Sequence, residues 1–365
     1  MKTETQLIHG GGKNALGAVQ TPLFLTSAFR DAEKNGYSYT RCSNPTRESL
    51  EKTLSLAEGG KYAFAFSSGL AAEDAVFSLR RNIVCANHVY GGTKRLLSTY
   101  ADVTFVDMTD LNEVSAAAKG KEPLIFAETP SNPLLSVCDI EALASVAHEN
   151  GGILAVDNTF LTPIFQRPLL HGADIVVHSA TKYLCGHHDS IAGAAVTNDG
   201  DIAEKLHFMS YTKGNCLSPF DSYLVKRGME TLHLRMKKHA ENAKNVLDFL
   251  RSSPKVTDVV YGYDPSSPSF GIMKKQSSGG GGMITFILKE DPAEFVKKLK
   301  LIAFAESLGG NASLITHPYS QTHATLSEEE KKKAGISLPL LRLSVGTENA
   351  EDIIEDLMQA MEQIR

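Results

Sequence analysis

At 365 residues the chain exceeds one small module and has enough apolar sequence for at least one sizeable core. Hydrophobic residues at 42%, charged residues at 22% and a mean hydropathy of −0.14 exclude disorder, collagen-like, mucin-like and coiled-coil readings for most of its length. A net charge of −5 without any basic stretch argues against nucleic acid as a main partner.

The opening MKTETQLIHGGG lacks the apolar run of a secretory signal, and no apolar stretch approaches the roughly 20 residues that span a bilayer, so a cytoplasmic protein without membrane contact is expected. Gly10-Gly11-Gly12-Lys13 follows no strand and lacks a Ser or Thr after the lysine, which sets it aside as a nucleotide loop. Ser67-Ser68-Gly69-Leu70 leads into a helix with Ala72, Val76 and Leu79 on one face. Short apolar runs follow at Ile83–Ala86, Val103–Val106, Leu124–Ala127, Ile153–Val156 and Asp174–Val177. Such near-continuous runs suit strands buried on both faces of a mostly parallel sheet. Between two of them a helix spans Ile140–Asn150 and ends at Gly151 and Gly152.

One long helical stretch is expected from about Asp221 to Ser252, before Pro254. Beyond it the sequence reads as a smaller α+β unit. Gly279–Gly282 is a turn, and Met283–Leu288 a strand. Asp291 caps a helix with Pro292 at its first position. Further runs fall at Leu301–Ala305 and Leu338–Val345, and a last helix starts near Asn349 with Asp352 as its capping-box partner. The expected division is an arm over 1–47, an α/β domain over 48–235 and the smaller domain over 236–365. The five cysteines are scattered and odd in number, which matches neither a disulfide framework nor paired zinc knuckles.

In parallel sheets ligands sit beyond the carboxyl ends of the strands. Here the runs end in Glu128, Ser131 and Asn132; in Asp157, Asn158 and Thr159; and in His178, Ser179, Thr181 and Lys182. Lys182, straight after a buried strand, stands where burial lowers an amine's pKa and makes it a nucleophile toward an aldehyde. Asp157 needs a partner if buried, and a pyridinium nitrogen supplies one. Ser68, Gly69 and Leu70 put free N–H groups at a helix N-terminus suited to a phosphate, although an ordinary serine cap explains Ser68 as well. A metal site built from His178, Cys185, His187 and His188 fits no zinc spacing. Phosphate cradle, amine and carboxylate together fit pyridoxal 5'-phosphate.

The motifs YSYTRCSNPTR (37–47), FSSGLAA (66–72), VYGGT (89–93), ETPSNP (128–133), VDNTF (156–160), VHSATKYL (177–184), ESLGG (306–310) and LRLSVGTEN (341–349) extend this reading. In that order they resemble the Cys/Met-metabolism family of pyridoxal-phosphate enzymes, the cystathionine γ-synthases, cystathionine lyases and methionine γ-lyases. The resemblance implies a fold-type I transferase architecture. It makes Lys182 the Schiff-base lysine, Asp157 the partner of the ring nitrogen, Tyr90 the residue stacked on the ring and a further proton carrier, and Asn132 the contact on the ring hydroxyl side. It gives the phosphate to Ser68, Ser179, Thr181 and the N–H groups of Gly69 and Leu70. Tyr39 and Arg41 match a pair that reaches the phosphate from a neighbouring subunit, which implies a homotetramer of two site-sharing dimers.

Substrate would meet Arg342, a fork for the α-carboxylate, with Ser307 beside it. Glu306 would meet the distal amino group of cystathionine, and Arg95 its distal carboxylate. The implied activity is cystathionine γ-elimination, with γ-synthase, β-lyase and a non-catalytic regulatory protein as alternatives. Gly92 stands where methionine γ-lyases carry cysteine. The sequence departs from the family at Ser38, Cys42, CGHHD (185–189) and a short link between Leu79 and Ile83.

Overall fold

The computed structural model describes residues 1–12, 17–322, 324 and 327–364, so Lys13 of the glycine-lysine segment lies outside the described residues. Seven strands form the first sheet: β1 (Tyr62–Phe66), β2 (Asn82–Ala86), β3 (Asp102–Val106), β4 (Leu124–Glu128), β5 (Ile153–Asp157), β6 (Ile175–His178) and β7 (Gly193–Thr197). Their order is β1-β7-β6-β5-β4-β2-β3. The strands from β3 through β6 run parallel, whereas β7 is antiparallel to β6 and to β1. The five expected strands are all present. β4, β5 and β6 are buried on both faces, with Leu124, Ile125, Phe126, Leu154, Ala155 and Val156 fully enclosed, whereas β3 at the sheet edge leaves Thr104 exposed.

β1 and β7 were not anticipated. Gly193-Ala-Ala-Val-Thr is poor in branched and aromatic residues and carries little strand signal. Glycine is required at its first position, where a Cβ on Gly193 would lie 2.0 Å from the Ser68 carbonyl oxygen.

The second sheet contains β8 (Val256–Tyr261), β9 (Met283–Leu288), β10 (Ala303–Phe304), β11 (Leu314–Thr316) and β12 (Leu340–Ser344), ordered β10-β11-β12-β9-β8. Its inner face packs against the helices at 232–252 and 350–362 through Ala243, Val246, Leu250, Ile353 and Leu357. Asp291 and Asn349 cap their helices as expected. The architecture is α/β, with a mostly parallel central sheet and a smaller α+β unit.

The long helix expected over 221–252 is two, Pro219–Glu230 and Leu232–Ser252. Arg235 explains the break. Its guanidinium donates to the Gly228 carbonyl at 2.7 Å and its Nε to Thr231 Oγ1 at 3.1 Å, so backbone at the junction is satisfied from the side. The second helix crosses the boundary expected at 235/236: Leu232 and Met236 pack in one core, Ala243 and Leu247 in another. No helix among the described residues is long and apolar enough to cross a membrane.

Candidate active site

The carboxyl ends of β4, β5 and β6 lie side by side, and each delivers a functional group to the same region. β6 leads into Ser179–Lys182, a segment tied down on both sides. The Ser179 N–H donates to Thr159 Oγ1 at 2.8 Å, while the Thr181 hydroxyl donates to the Ala192 carbonyl at 3.1 Å and accepts the Ala192 N–H at 2.9 Å. From beneath, Arg235 donates to the carbonyls of Tyr183, at 2.7 Å, and Leu184, at 3.4 Å. Lys182 Nζ therefore projects from a rigid base and donates to Ser307 Oγ at 2.9 Å. Burial lowers its pKa from 10.5 to about 8, the Arg342 charge acting in the same direction and Glu306 against it.

Arg342 lies in the middle of β12 and is buried. It donates through Nη1 to Asn132 Oδ1 at 2.7 Å and through Nη2 to the Ser307 carbonyl at 2.9 Å, leaving Nε without a partner among the described residues. No carboxylate among them pairs with it, and burial pushes its pKa down to about 10. A buried, unpaired guanidinium is the arrangement expected of a receptor for an anion. Ser307 joins the two cations at φ 100°, a conformation that costs a non-glycine residue roughly 1–3 kcal/mol.

Acid side chains gather at the ends of β4 and β5. The register pairs Glu128 with Asp157, and Glu73 of the helix Gly69–Phe77 faces them. Burial raises the pKa of all three. Asp157 adds to the shift of Glu128, which reaches about 8, and to that of Glu73. None of the three forms an ion pair among the described residues, and Glu73 Oε2 has no hydrogen-bond partner there. Asp157 accepts the Thr159 N–H at 2.8 Å, which fixes its carboxylate.

The same helix N-terminus supplies an anion cradle. Ser68 Oγ accepts the Ala71 N–H at 3.0 Å, so the hydroxyl acts as a cap, and the N–H groups of Gly69 and Leu70 in the first turn have no intrahelical acceptor. A Cβ on Gly69 would sit 3.2 Å from Ser179 Oγ, so the helix start and that hydroxyl share one space. Anion cradle, unpaired acids and lowered amine fit the phosphate, ring nitrogen and aldehyde of pyridoxal phosphate. Tyr90 heads the helix Gly91–Leu97, its ring lying over Gly92, where a Cβ would be 2.4 Å from Tyr90 Cε1.

The structure thus brings Lys182, Asp157, Ser68, Gly69, Leu70, Ser179, Asn132, Tyr90, Ser307 and Arg342 around one cleft. Glu306 is exposed at its edge, close enough to act on both Lys182 and Arg342. The Thr181 hydroxyl is engaged by Ala192. Arg95 is exposed, and its guanidinium makes no hydrogen bond or ion pair among the described residues. Tyr39 and Arg41 lie apart: Arg41 is exposed, donates to the Tyr211 carbonyl at 2.8 Å and stacks over the Tyr39 ring, 5.6 Å from its centroid.

Among the described residues no three His, Cys, Asp or Glu side chains converge as metal ligands. His178 bonds the buried Glu58 at 2.5 Å, and in CGHHD the Cys185 thiol donates to Asp189 at 3.2 Å and His187 Nδ1 to the Cys185 carbonyl at 2.7 Å. Glu73 and Glu58 drew no notice in the sequence. Glu73 sits beside the apolar stripe of its helix, and that carboxyl at a buried helical position was the available signal. Glu58 offered none, because its partner is 120 residues away.

Fold and site together define an α/β enzyme built to hold an aldehyde cofactor between an amine and a carboxylate. The profile of the family described as Cys/Met metabolism PLP-dependent enzyme matches residues 4–362, and the chain belongs to that family. Pyridoxal 5'-phosphate is its cofactor. A cystathionine beta-lyase of Lactococcus lactis subsp. cremoris (strain MG1363) is 43% identical, covering 99% of both chains. A cystathionine gamma-synthase of Haemophilus influenzae (strain ATCC 51907 / DSM 11121 / KW20 / Rd) is 40% identical over 99% of this chain and 98% of its own. The crystal structure of cystathionine gamma-lyase from Lactobacillus plantarum complexed with L-serine superposes with a TM-score of 0.97, at 42% identity and full coverage of both chains. The chain is a PLP-dependent enzyme of the cystathionine lyase and synthase group.

Proposed function

We propose that this enzyme carries out γ-elimination on cystathionine and related sulfur amino acids, consuming one water and, from cystathionine, releasing cysteine, 2-oxobutyrate and ammonia. The observation that carries the reading is the placement of Glu306, an exposed carboxylate beside both Lys182 and Arg342. An amino acid held there by its α-carboxylate presents its distal ammonium to that carboxylate.

In this reading Arg342 grips the α-carboxylate with its fork, and Ser307 and Asn132 keep that fork in place. Bound pyridoxal phosphate supplies the electron sink that makes the α-proton acidic. Asp157 holds the ring nitrogen, Asn132 the ring hydroxyl side, and Ser179 with the first turn of the 69–77 helix the phosphate. Lys182 takes the α-proton, and burial, which lowers its pKa below the ordinary lysine value, favours the neutral amine that this requires. A second deprotonation at Cβ lets the group on Cγ depart, and the Tyr90 hydroxyl carries the further proton. Tyr39 and Arg41 complete the phosphate site of a second copy, within a tetramer of two such dimers.

β-Elimination is a second reading, favoured by the 43% identity to a protein named for it. Incubation with cystathionine and identification of the keto acid decides. Oxobutyrate supports γ-cleavage; pyruvate means β-cleavage. Neither acid, but thioether formation from cysteine and an acylated homoserine, means γ-synthase and overturns the proposal.

A further inference from the structure

The side chains of the cleft are joined in one chain of hydrogen bonds, with a carboxyl at its head. Glu128 ends β4 at the cleft floor. Its Oε1 accepts the Tyr90 N–H at 2.7 Å and its Oε2 the Asn132 N–H at 3.3 Å. Asn132 Oδ1 accepts from Arg342 at 2.7 Å, Arg342 donates to the Ser307 carbonyl at 2.9 Å, and Ser307 Oγ accepts Lys182 Nζ at 2.9 Å.

We propose that Glu128 is a positioning residue that ties the backbone under the ring-stacking Tyr90 to the backbone under Asn132, and through Asn132 to the Arg342 fork. This rests on the roles given to Tyr90, Asn132 and Arg342 in the proposed function. Two N–H groups from separate loops converge on two oxygens of one side chain, a task only a carboxyl of this length performs. Glutamine offers one oxygen and an NH2, which would face an N–H donor with another donor. Aspartate is one methylene short. Burial with Asp157 alongside pushes the Glu128 pKa up to about 8, the two N–H groups opposing. Acceptor lone pairs remain on both oxygens whether or not the proton is present, so the tie holds in either state.

The unequal lengths of the two bonds make the test selective. In Glu128→Gln the amide oxygen keeps the shorter bond to Tyr90 and the NH2 turns toward Asn132. The Asn132 arm alone is released, and Arg342 with it. Holoenzyme of this variant is expected to show a KM for cystathionine raised roughly tenfold, the size of one lost hydrogen bond, with kcat and the cofactor dissociation constant within about threefold of wild type. Glu128→Ala releases both arms. It should match that rise in KM and, in addition, lower kcat and weaken cofactor binding by roughly tenfold each. The binding is read by fluorescence titration of cofactor-stripped protein, independently of turnover.

If both variants keep KM, kcat and cofactor affinity within about twofold of wild type while only the melting temperature falls, Glu128 merely supports the fold and the proposal is wrong. Identical behaviour of the two variants in all three parameters refutes it as well, because the two arms would not be separable. Lys182→Ala is run alongside. Retained turnover in that variant overturns the assigned site, and the tie with it; lost turnover leaves the Glu128 variants to decide.

Discussion

The ammonium of Lys182 is held in the fold against its own preference, and replacing it by methionine in cofactor-stripped protein measures by how much. Burial depresses its pKa from 10.5 to about 8. A cation whose folded pKa lies below its unfolded one destabilises the fold wherever it is protonated. The penalty is complete at pH values below the folded pKa and fades as pH rises through the unfolded one, where the unfolded chain also gives up its proton. The depression corresponds to a penalty of about 3 kcal/mol at pH 7, falling to about 1 kcal/mol at pH 10.

Lys182→Met keeps the length and apolar stem and removes the charge. It also removes the bond to Ser307, a loss of about 1 kcal/mol at either pH. Urea denaturation of wild type and variant should therefore place the variant about 2 kcal/mol above wild type at pH 7 and level with it at pH 10. The change in this gap with pH is the informative quantity, because packing differences cancel in it. A gap that stays constant within about 0.5 kcal/mol between the two pH values would show that the amine titrates normally. Lys182 would then not be an amine readied by burial.

Glu306→Gln should raise the KM for cystathionine roughly tenfold and leave that for a γ-substituted amino acid without a distal amine within about twofold; equal effects would remove Glu306 from substrate recognition. Gly92→Ala puts a methyl 2.4 Å from Tyr90 Cε1 and displaces the ring. Turnover should drop roughly tenfold with an altered near-ultraviolet tyrosine circular dichroism, and an unchanged spectrum would mean the ring does not rest where the structure has it. Glu58→Ala strips the acceptor from His178 Nε2 and from Asn158 Nδ2, bonded at 2.5 and 3.0 Å. The expected destabilisation is about 3–5 kcal/mol by urea titration, and less than about 1 kcal/mol would show that the pair is dispensable.

The sequence revealed most where a physical requirement is local. Leu124–Ala127 and Ile153–Val156 read as strands because burial on both faces demands continuous apolar residues. Lys182 and Asp157 stood out because a charged group directly after such a run is costly to desolvate unless a ligand or a counter-charge meets it. β7 escaped because it is poor in branched and aromatic residues and opens on Gly193, which is dictated by its close approach to Ser68, a neighbour 125 positions earlier in the chain. Glu128 was visible as a polar strand end, yet its two partners lie 38 residues before it and 4 after, and nothing in spacing alone joins them. The split at Thr231 was hidden for a similar reason, since the guanidinium that satisfies the junction also reaches the carbonyls after Lys182. Arg95 differs from these: its place in a motif suggests a substrate contact, and the helix Gly91–Leu97 leaves its side chain exposed.

The helix Leu232–Ser252 is anchored in two cores at once, while the amine belongs to one sheet and the guanidinium fork to the other. A molecule gripped by both groups would be a strut between the two halves of the chain, and this helix already braces both: Arg235 holds the Tyr183 carbonyl just after the amine, and His239 bonds the Val345 carbonyl just after the strand that carries the fork.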